Sequence, residues 1–194
     1  SATTQVIVRS TPKSDFTADP TACIKDSIRV NYTGGTTGAT YTWNFGADVQ
    51  GTYNGPGPHG VRWTTAGTKT ITLTVTKDGC TSTPTTKTVT IDPLLEKPVV
   101  TCADQRIDGV TFGWTSVANA SGYNIKVDIV GGANVFTGTV PGTTYDVPNL
   151  TEGTEVTITV TAISNNACPD ESGSGKCKAT ACPNAKITFP NKVI

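Results

Sequence analysis

Charge is scarce in this chain of 194 residues: only 15% are Asp, Glu, Lys or Arg, and the formal net charge is zero. A nucleic-acid binder needs a basic surface to displace counterions from phosphates, so no nucleic-acid partner is expected. No run of 18 apolar residues occurs, so no segment reads as a membrane span. There is a single histidine, His59, and no Cys-x-x-Cys pair, which leaves structural zinc without a ligand set. No amphipathic helical period is found either, so no glycine-rich loop opens a helix to hold a phosphate. Nothing at the start reads as a signal peptide, and the sequence is expected to be a mature or trimmed fragment.

What is present is threonine, roughly a fifth of the residues, arranged in strict alternation. Thr68–Thr76 reads TKTITLTVT and runs into Asp78, Gly79 and Cys80; Thr154–Ile163 reads TEVTITVTAI and ends just before Cys168. Period two with one apolar face is the pattern of a half-buried strand, and β-branched threonine suits its wet face. Two stretches built alike predict an all-β chain of two tandem β-sandwiches of roughly 90 residues each, a class that the resemblances given below make immunoglobulin-like.

Six cysteines, an even number in a loop-rich β chain, point to disulfides and an oxidising compartment. If each half is self-contained, Cys23 pairs with Cys80. Cys102, Cys168, Cys177 and Cys182 then allow three connectivities that sequence does not choose among. Closing the polar loop between Cys168 and Cys177 is the first choice, leaving Cys102 with Cys182.

The alternation stops between Ile91 and Val99, where Pro93 and Pro98 interrupt any ladder. The boundary is placed at 93/94, with Leu94 and Leu95 expected to be pinned between the domains and the linker expected to be semi-rigid. Residues 1–10, with Val6 to Val8 apolar, resemble the last strand of the first domain and read either as a strand from a preceding repeat or as an extension of the first strand that pairs here. The tail 185–194 alternates again and reads as a C-terminal extension.

In the first domain Tyr41, Trp43, Phe45 and Gly46, followed by Gly67, Ile71, Leu73 and Val75, resemble the PKD domain over residues 12–92. That resemblance implies an immunoglobulin-like sandwich in which Trp43 and Phe45 project into the core and meet Ile71, Leu73 and Val75 from the facing sheet. The family's Gly-Asp-Gly is replaced by Gly46, Ala47 and Asp48, and its His-Thr-Tyr segment by Gly60, Val61, Arg62 and Trp63. The second domain resembles fibronectin type III over residues 96–182, through Pro98, Trp114, Ala120, Tyr123, Ile125 and the turn at Leu150–Thr154. Trp114 and Tyr123 are its expected core. Val156 stands where that family's corner tyrosine is found, and the extra cysteines are read as compensation. No Arg-Gly-Asp sequence supports integrin binding. Together the modules resemble segments of large secreted bacterial surface proteins, including adhesins of the type IX secretion kind, and neither family is catalytic.

Candidate site residues are few. His59 lies in a loop between Pro58 and Gly60, with no base or nucleophile nearby in sequence, and no catalytic residue is expected. Acidic residues such as Asp15, Asp19, Asp26, Asp48, Asp78 and Asp92 sit at turns and strand ends, where Asp is favoured for local hydrogen bonding. No cofactor is expected. Calcium is the one metal left open, through Asp48 with carbonyls near Asn44 or Asp26. Tyr53, His59 and Trp63, with Tyr41, are the candidate ligand loop, since flat aromatic faces stack on sugar rings. Trp63 is expected to be partly exposed. Asn31, Asn119 and Asn149 begin N-glycosylation sequons at near-chance frequency, silent in a bacterial protein. The expected function is a non-catalytic spacer and adhesion segment of an extracellular bacterial surface protein. Its partners would be neighbouring sandwiches of the same polypeptide, surface glycans or other surface proteins. The alternative is a pair of accessory carbohydrate-binding modules of a secreted glycoside hydrolase or protease.

Overall fold

The structure, a computed structural model, describes residues 9–180. Val6 to Val8, Cys182 and the tail 185–194 lie outside the described residues. The chain is all-β, with no helix among the described residues. The described residues divide into two compact units: one of residues 9–94 with Asn166–Cys168, the other of Leu95–Asn165 with residues 169–180. The assignment of Asn166–Cys168 to the first unit is invisible in the sequence.

The first unit contains β1 (Phe16–Ala18), β2 (Thr21–Cys23), β3 (Ile28–Tyr32), β4 (Thr40–Asn44), β5 (Val49–Gln50), β6 (His59–Trp63), β7 (Gly67–Lys77), β8 (Cys80–Thr81) and β9 (Thr85–Asp92). One sheet has the order β1-β3-β6-β5, the other β2-β9-β7-β4 with β8 paired to β7. The first sheet thus joins the first, second, fifth and fourth strands of a seven-strand Greek key, and the second joins the remaining three. This is the immunoglobulin arrangement. β2 adds to the second sheet parallel to β9. The alternation in β7 buries Ile71, Leu73 and Val75 completely. Its threonines stay on the wet face, where Thr72 meets Thr86 and Thr76 meets Thr81, each at 3.1 Å.

Two expectations about the tryptophans are corrected here. β4 pairs with β7, so Trp43 lies directly opposite Leu73 in the same sheet rather than facing it. The facing residues are Phe16, Ile28, Val30, Val61 and Trp63. β4 is also an edge strand, so Trp43 is only half-buried, although Phe45 just beyond the strand is buried. Trp63 is on β6 inside its sheet and is 1% exposed, not partly exposed. An edge strand leaves one flank of each side chain without a neighbour, whatever its parity.

The second unit contains β10 (Val100–Arg106), β11 (Gly109–Trp114), β12 (Ala120–Ile129), β13 (Asn134–Val140), β14 (Thr144–Pro148), β15 (Glu155–Ser164) and β16 (Glu171–Lys178). Its sheets have the orders β10-β11-β14 and β13-β12-β15-β16. Here the fourth strand has moved to the sheet of β12, β15 and β16. The core is built from Phe112 and Trp114 on β11, Tyr123, Ile125 and Val127 on β12, and Val156, Ile158 and Val160 on β15. Trp114 and Tyr123 meet edge to face at 5.7 Å, and the Tyr123 hydroxyl accepts the Val117 N–H at 2.8 Å. Leu95, expected in a linker, is 4% exposed within this same core.

The corner before β15, lacking its tyrosine, is held by backbone: Gly153 N–H donates to Ala179 at 2.7 Å and Ala179 N–H to Thr154 at 2.9 Å. Val156, in the tyrosine's place, is fully buried. β16 carries Gly173 and Gly175, and the backbone of Pro98 crosses so closely that a Cβ at Gly173 would lie 1.9 Å from its carbonyl oxygen.

The disulfides also differ from expectation. Cys23 is bonded to Cys168 and Cys102 to Cys177, while Cys80 carries a free thiol. The pairings Cys23–Cys80 and Cys168–Cys177 are therefore corrected, and with Cys177 taken, Cys102 does not pair with Cys182. Cys80 sits on β8, in the turn beyond β7, whereas Cys23 ends β2 on the far side of β9. Cys102 and Cys177 lie on strands of opposite sheets, so their bridge fastens the sandwich across its two layers.

Candidate functional site

The expected ligand loop forms a packed aromatic cluster. Trp43 stacks on Phe45 at 5.6 Å, and His59 meets Trp43 at 5.7 Å and Tyr53 at 5.6 Å, each edge to face. The polar atoms of this cluster are engaged internally. Trp43 Nε1 donates to Gly55 O at 2.9 Å, and Tyr53 Oη lies 2.6 Å from Gln50 O and 3.2 Å from Gly60 O. His59 Nε2 is 3.2 Å from Gly55 O, a backbone carbonyl rather than a nucleophile or carboxylate. Trp63 lies beneath them, its Nε1 donating to Phe45 O at 3.0 Å, and it offers no face to a sugar ring. The structure thus brings Tyr53 and His59 together and removes Trp63 from the ligand loop. A shallow cleft of about 320 Å³ beside Trp43, Phe45 and Tyr53 remains open.

Asp48 adopts a left-handed backbone with φ of 65°. Its Oδ2 accepts the Thr65 hydroxyl at 2.9 Å and lies 3.6 Å from Lys69 Nζ, so its carboxylate already faces a cation. Asn44 Oδ1 accepts the Gly46 N–H at 2.8 Å. Among the described residues no group of three or more His, Cys, Asp or Glu side chains is placed to hold a metal ion.

A larger opening lies between β3 and β4, where Tyr41 stands apart from the other candidate ligand residues. Tyr32 ends β3, Tyr41 lies on β4, and the loop 33–39 between them curls back through Gly35 and Gly38 at positive φ. With Pro56 they line a cleft of about 550 Å³. The two rings meet at 4.9 Å, edge to face. Their hydroxyls pin the loop: Tyr32 Oη donates to Lys13 O at 2.9 Å and accepts the Thr36 N–H at 3.1 Å, while Tyr41 Oη donates to Thr36 O. Burial, and then the neighbouring Tyr32, push the Tyr41 phenol above its ordinary pKa, so it stays protonated and donating. The sequence signal was available, a glycine-threonine run bracketed by two tyrosines.

An adjoining cleft shares Gly35 and Thr36 with the first and carries Arg9, Lys13, Lys77 and Asp78. Arg9 Nη1 donates to Asp78 O at 2.7 Å and lies 3.8 Å from its carboxylate. Lys77 Nζ donates to Thr37 O at 2.5 Å. The arrangement can recognise a ligand by shape and hydrogen bonding; it contains no paired acid and base, and no activated nucleophile.

In the second unit the densest charge cluster surrounds Arg106, which lies 2.6 Å from Asp146, 2.9 Å from Asp104 and 3.9 Å from Asp108. Hydrogen bonds from Arg106 and then Thr111 hold the Asp146 carboxyl below the usual carboxylate range. With a guanidinium at its centre, this cluster braces β10, β11 and β14 rather than holding a cation.

With strand order and site geometry in place, the chain belongs to the class of tandem immunoglobulin-like β-sandwiches. No protein-family model matches it, and no curated protein matches it. Solved structures of that class are similar. A two-domain fibronectin type III segment of chicken tenascin aligns at 18% identity over 88% of this chain and 100% of that one, with a TM-score of 0.44. The fibronectin type III domain of human collagen alpha-1(XX) aligns at 15% identity over 45% of this chain and 88% of that one, at 0.41. A crystal structure of titin domains aligns at 20% identity over 82% and 61%, at 0.46. At these scores none of them carries a functional inference.

Proposed function

We propose that the chain is a non-catalytic spacer and adhesion segment of a large extracellular bacterial surface protein. The observation that carries this reading is the bracing. Disulfides of sequence separation 145 and 75 tie together elements far apart in the chain, a device of proteins that must survive outside the cell. The side chains able to do chemistry are engaged in holding loops: His59 on a carbonyl, Asp48 on Lys69, and Tyr53 on backbone oxygens. The first unit's PKD resemblance and the second unit's fibronectin type III resemblance add the bacterial, multimodular context. Neighbouring sandwiches of the same polypeptide are the natural partners.

The alternative, an accessory carbohydrate-binding role, is favoured by one observation, the Tyr32–Tyr41 cleft with its uncharged threonine and glycine rim. A glycan array separates the two. The spacer reading expects no saturable glycan binding. Saturable binding that Tyr41→Ala abolishes without lowering Tm would replace it with the carbohydrate-binding one.

A further inference from the structure

The Cys23–Cys168 bridge has a consequence in covalent connectivity. The chain leaves the first unit after Leu94, returns to it for Asn166–Cys168 and leaves again at Pro169. The bridge is seated there by several bonds. Cys23 ends β2 in register with Asp92 of β9, and Ile24 N–H donates to Asp92 O at 3.0 Å. The Asp92 carboxylate accepts the Ala167 N–H at 2.9 Å. Asn166 Oδ1 accepts the Cys168 N–H at 2.8 Å, turning the cysteine toward its partner. Cys23 and Cys168 are 1% and 5% exposed, so solvent reductants meet a covered bond.

We infer that this disulfide is a covalent tension bypass, carrying pulling force around everything between residues 24 and 167. The inference rests on the spacer reading, since only a load-bearing segment has use for it. Force entering before Cys23 and leaving after Cys168 takes the shortest covalent route, which crosses the sulfur–sulfur bond. Strands β3 to β9 of the first unit and β10 to β15 of the second lie inside the closed loop and are not in series with the load. The strands in series are β1, β2 and β16. β2 is held parallel to β9, which itself lies inside the unloaded loop. Among the described residues, only Phe16 of the first core and Cys177 and Ala179 of the second lie on the load path; the other buried core residues lie inside the loop.

The bypass is read as length. Extended chain reaches about 3.3–3.6 Å per residue, so a closed loop of separation 145 withholds roughly 500 Å of contour. The Cys102–Cys177 loop, of separation 75, adds nothing while the larger bridge stands, and alone withholds roughly 250 Å. The experiment is single-molecule extension of the whole chain between handles on terminal tags, because Cys80 is a free thiol. Wild type is expected to stop roughly 500 Å short of full length, and Cys23→Ser/Cys168→Ser roughly 250 Å short. Removing Cys102 and Cys177 as well should release the full contour. These lengths are read whether or not a variant folds. A wild-type shortfall of roughly 250 Å, the value for the Cys102–Cys177 loop alone, no shortfall at all, or a shortfall that Cys168→Ser leaves unchanged, as a Cys23–Cys80 loop beside Cys102–Cys177 would, overturns the bypass. If the lengths come out as expected but wild type yields at no higher force than the four-serine variant, the bypass stands and the load-bearing reading falls.

Discussion

Exchanging the roles of the two tryptophans in the first unit makes a sharp test of its packing. Trp63 is 1% exposed in the interior of its sheet, and Trp43 is half-buried on an edge strand. A fully buried indole removes up to about 250 Å² from water, which at about 25 cal/mol/Å² bounds its burial at about 6 kcal/mol. Truncation to alanine in comparable cores costs about 3–5 kcal/mol. Trp63→Ala should fall in that range, and Trp43→Ala should cost about half as much. The hydrogen bonds sharpen the contrast. Trp63→Phe leaves the Phe45 carbonyl without its indole donor, at a cost of about 1–3 kcal/mol. Trp43→Phe leaves the Gly55 carbonyl still facing His59 Nε2. Thermal unfolding followed by near-UV circular dichroism measures the order, each kcal/mol shifting Tm by about 4–8 °C for a unit of this size. Fluorescence adds an independent reading, because Trp63→Phe should remove the bluer emission and Trp43→Phe the redder. Equal shifts, or a larger one for Trp43→Ala, would refute the assignment of Trp63 to the sandwich interior.

Gly173→Val should destabilise the second unit by at least about 1–3 kcal/mol, because the new Cβ would lie 1.9 Å from the Pro98 carbonyl oxygen; Gly175→Ala, whose Cβ would come no nearer than 2.8 Å, to Val100 Cγ1, should cost less in the same urea titration. The depressed pKa of Asp146 makes its stabilisation complete above the ordinary carboxylate range and lost as pH falls through the lower folded value. Arg106→Gln should therefore flatten the acid limb of stability against pH below about 4, and an unchanged limb would remove the Arg106–Asp146 pair from the account. Millimolar calcium should leave Tm of the first unit unchanged, since the Asp48 carboxylate faces Lys69; a rise that Asp48→Asn abolishes would instead make Asp48 a calcium ligand.

Much of the architecture was legible because its cause is local. The alternation of Thr68–Thr76 and Thr154–Ile163 needs only the pleat to decide which side chains face the core, and β7 and β15 bury those residues. Phe45, Trp114 and Tyr123 are buried at positions whose local pattern already pointed inward. The two tryptophans of the first unit were not separable in this way, because parity along a strand does not say whether that strand has neighbours on both sides. The Tyr32–Tyr41 cleft depends on where a glycine-rich loop folds back, which its composition permits but does not direct. Disulfide partners were decided by tertiary structure alone. A bridge needs two Cα atoms within a few ångströms, and Cys23 and Cys168 come to 4.6 Å across a sequence separation of 145. Sequence could count the cysteines and infer oxidation, but no local rule brings the turn after β15 to the end of β2.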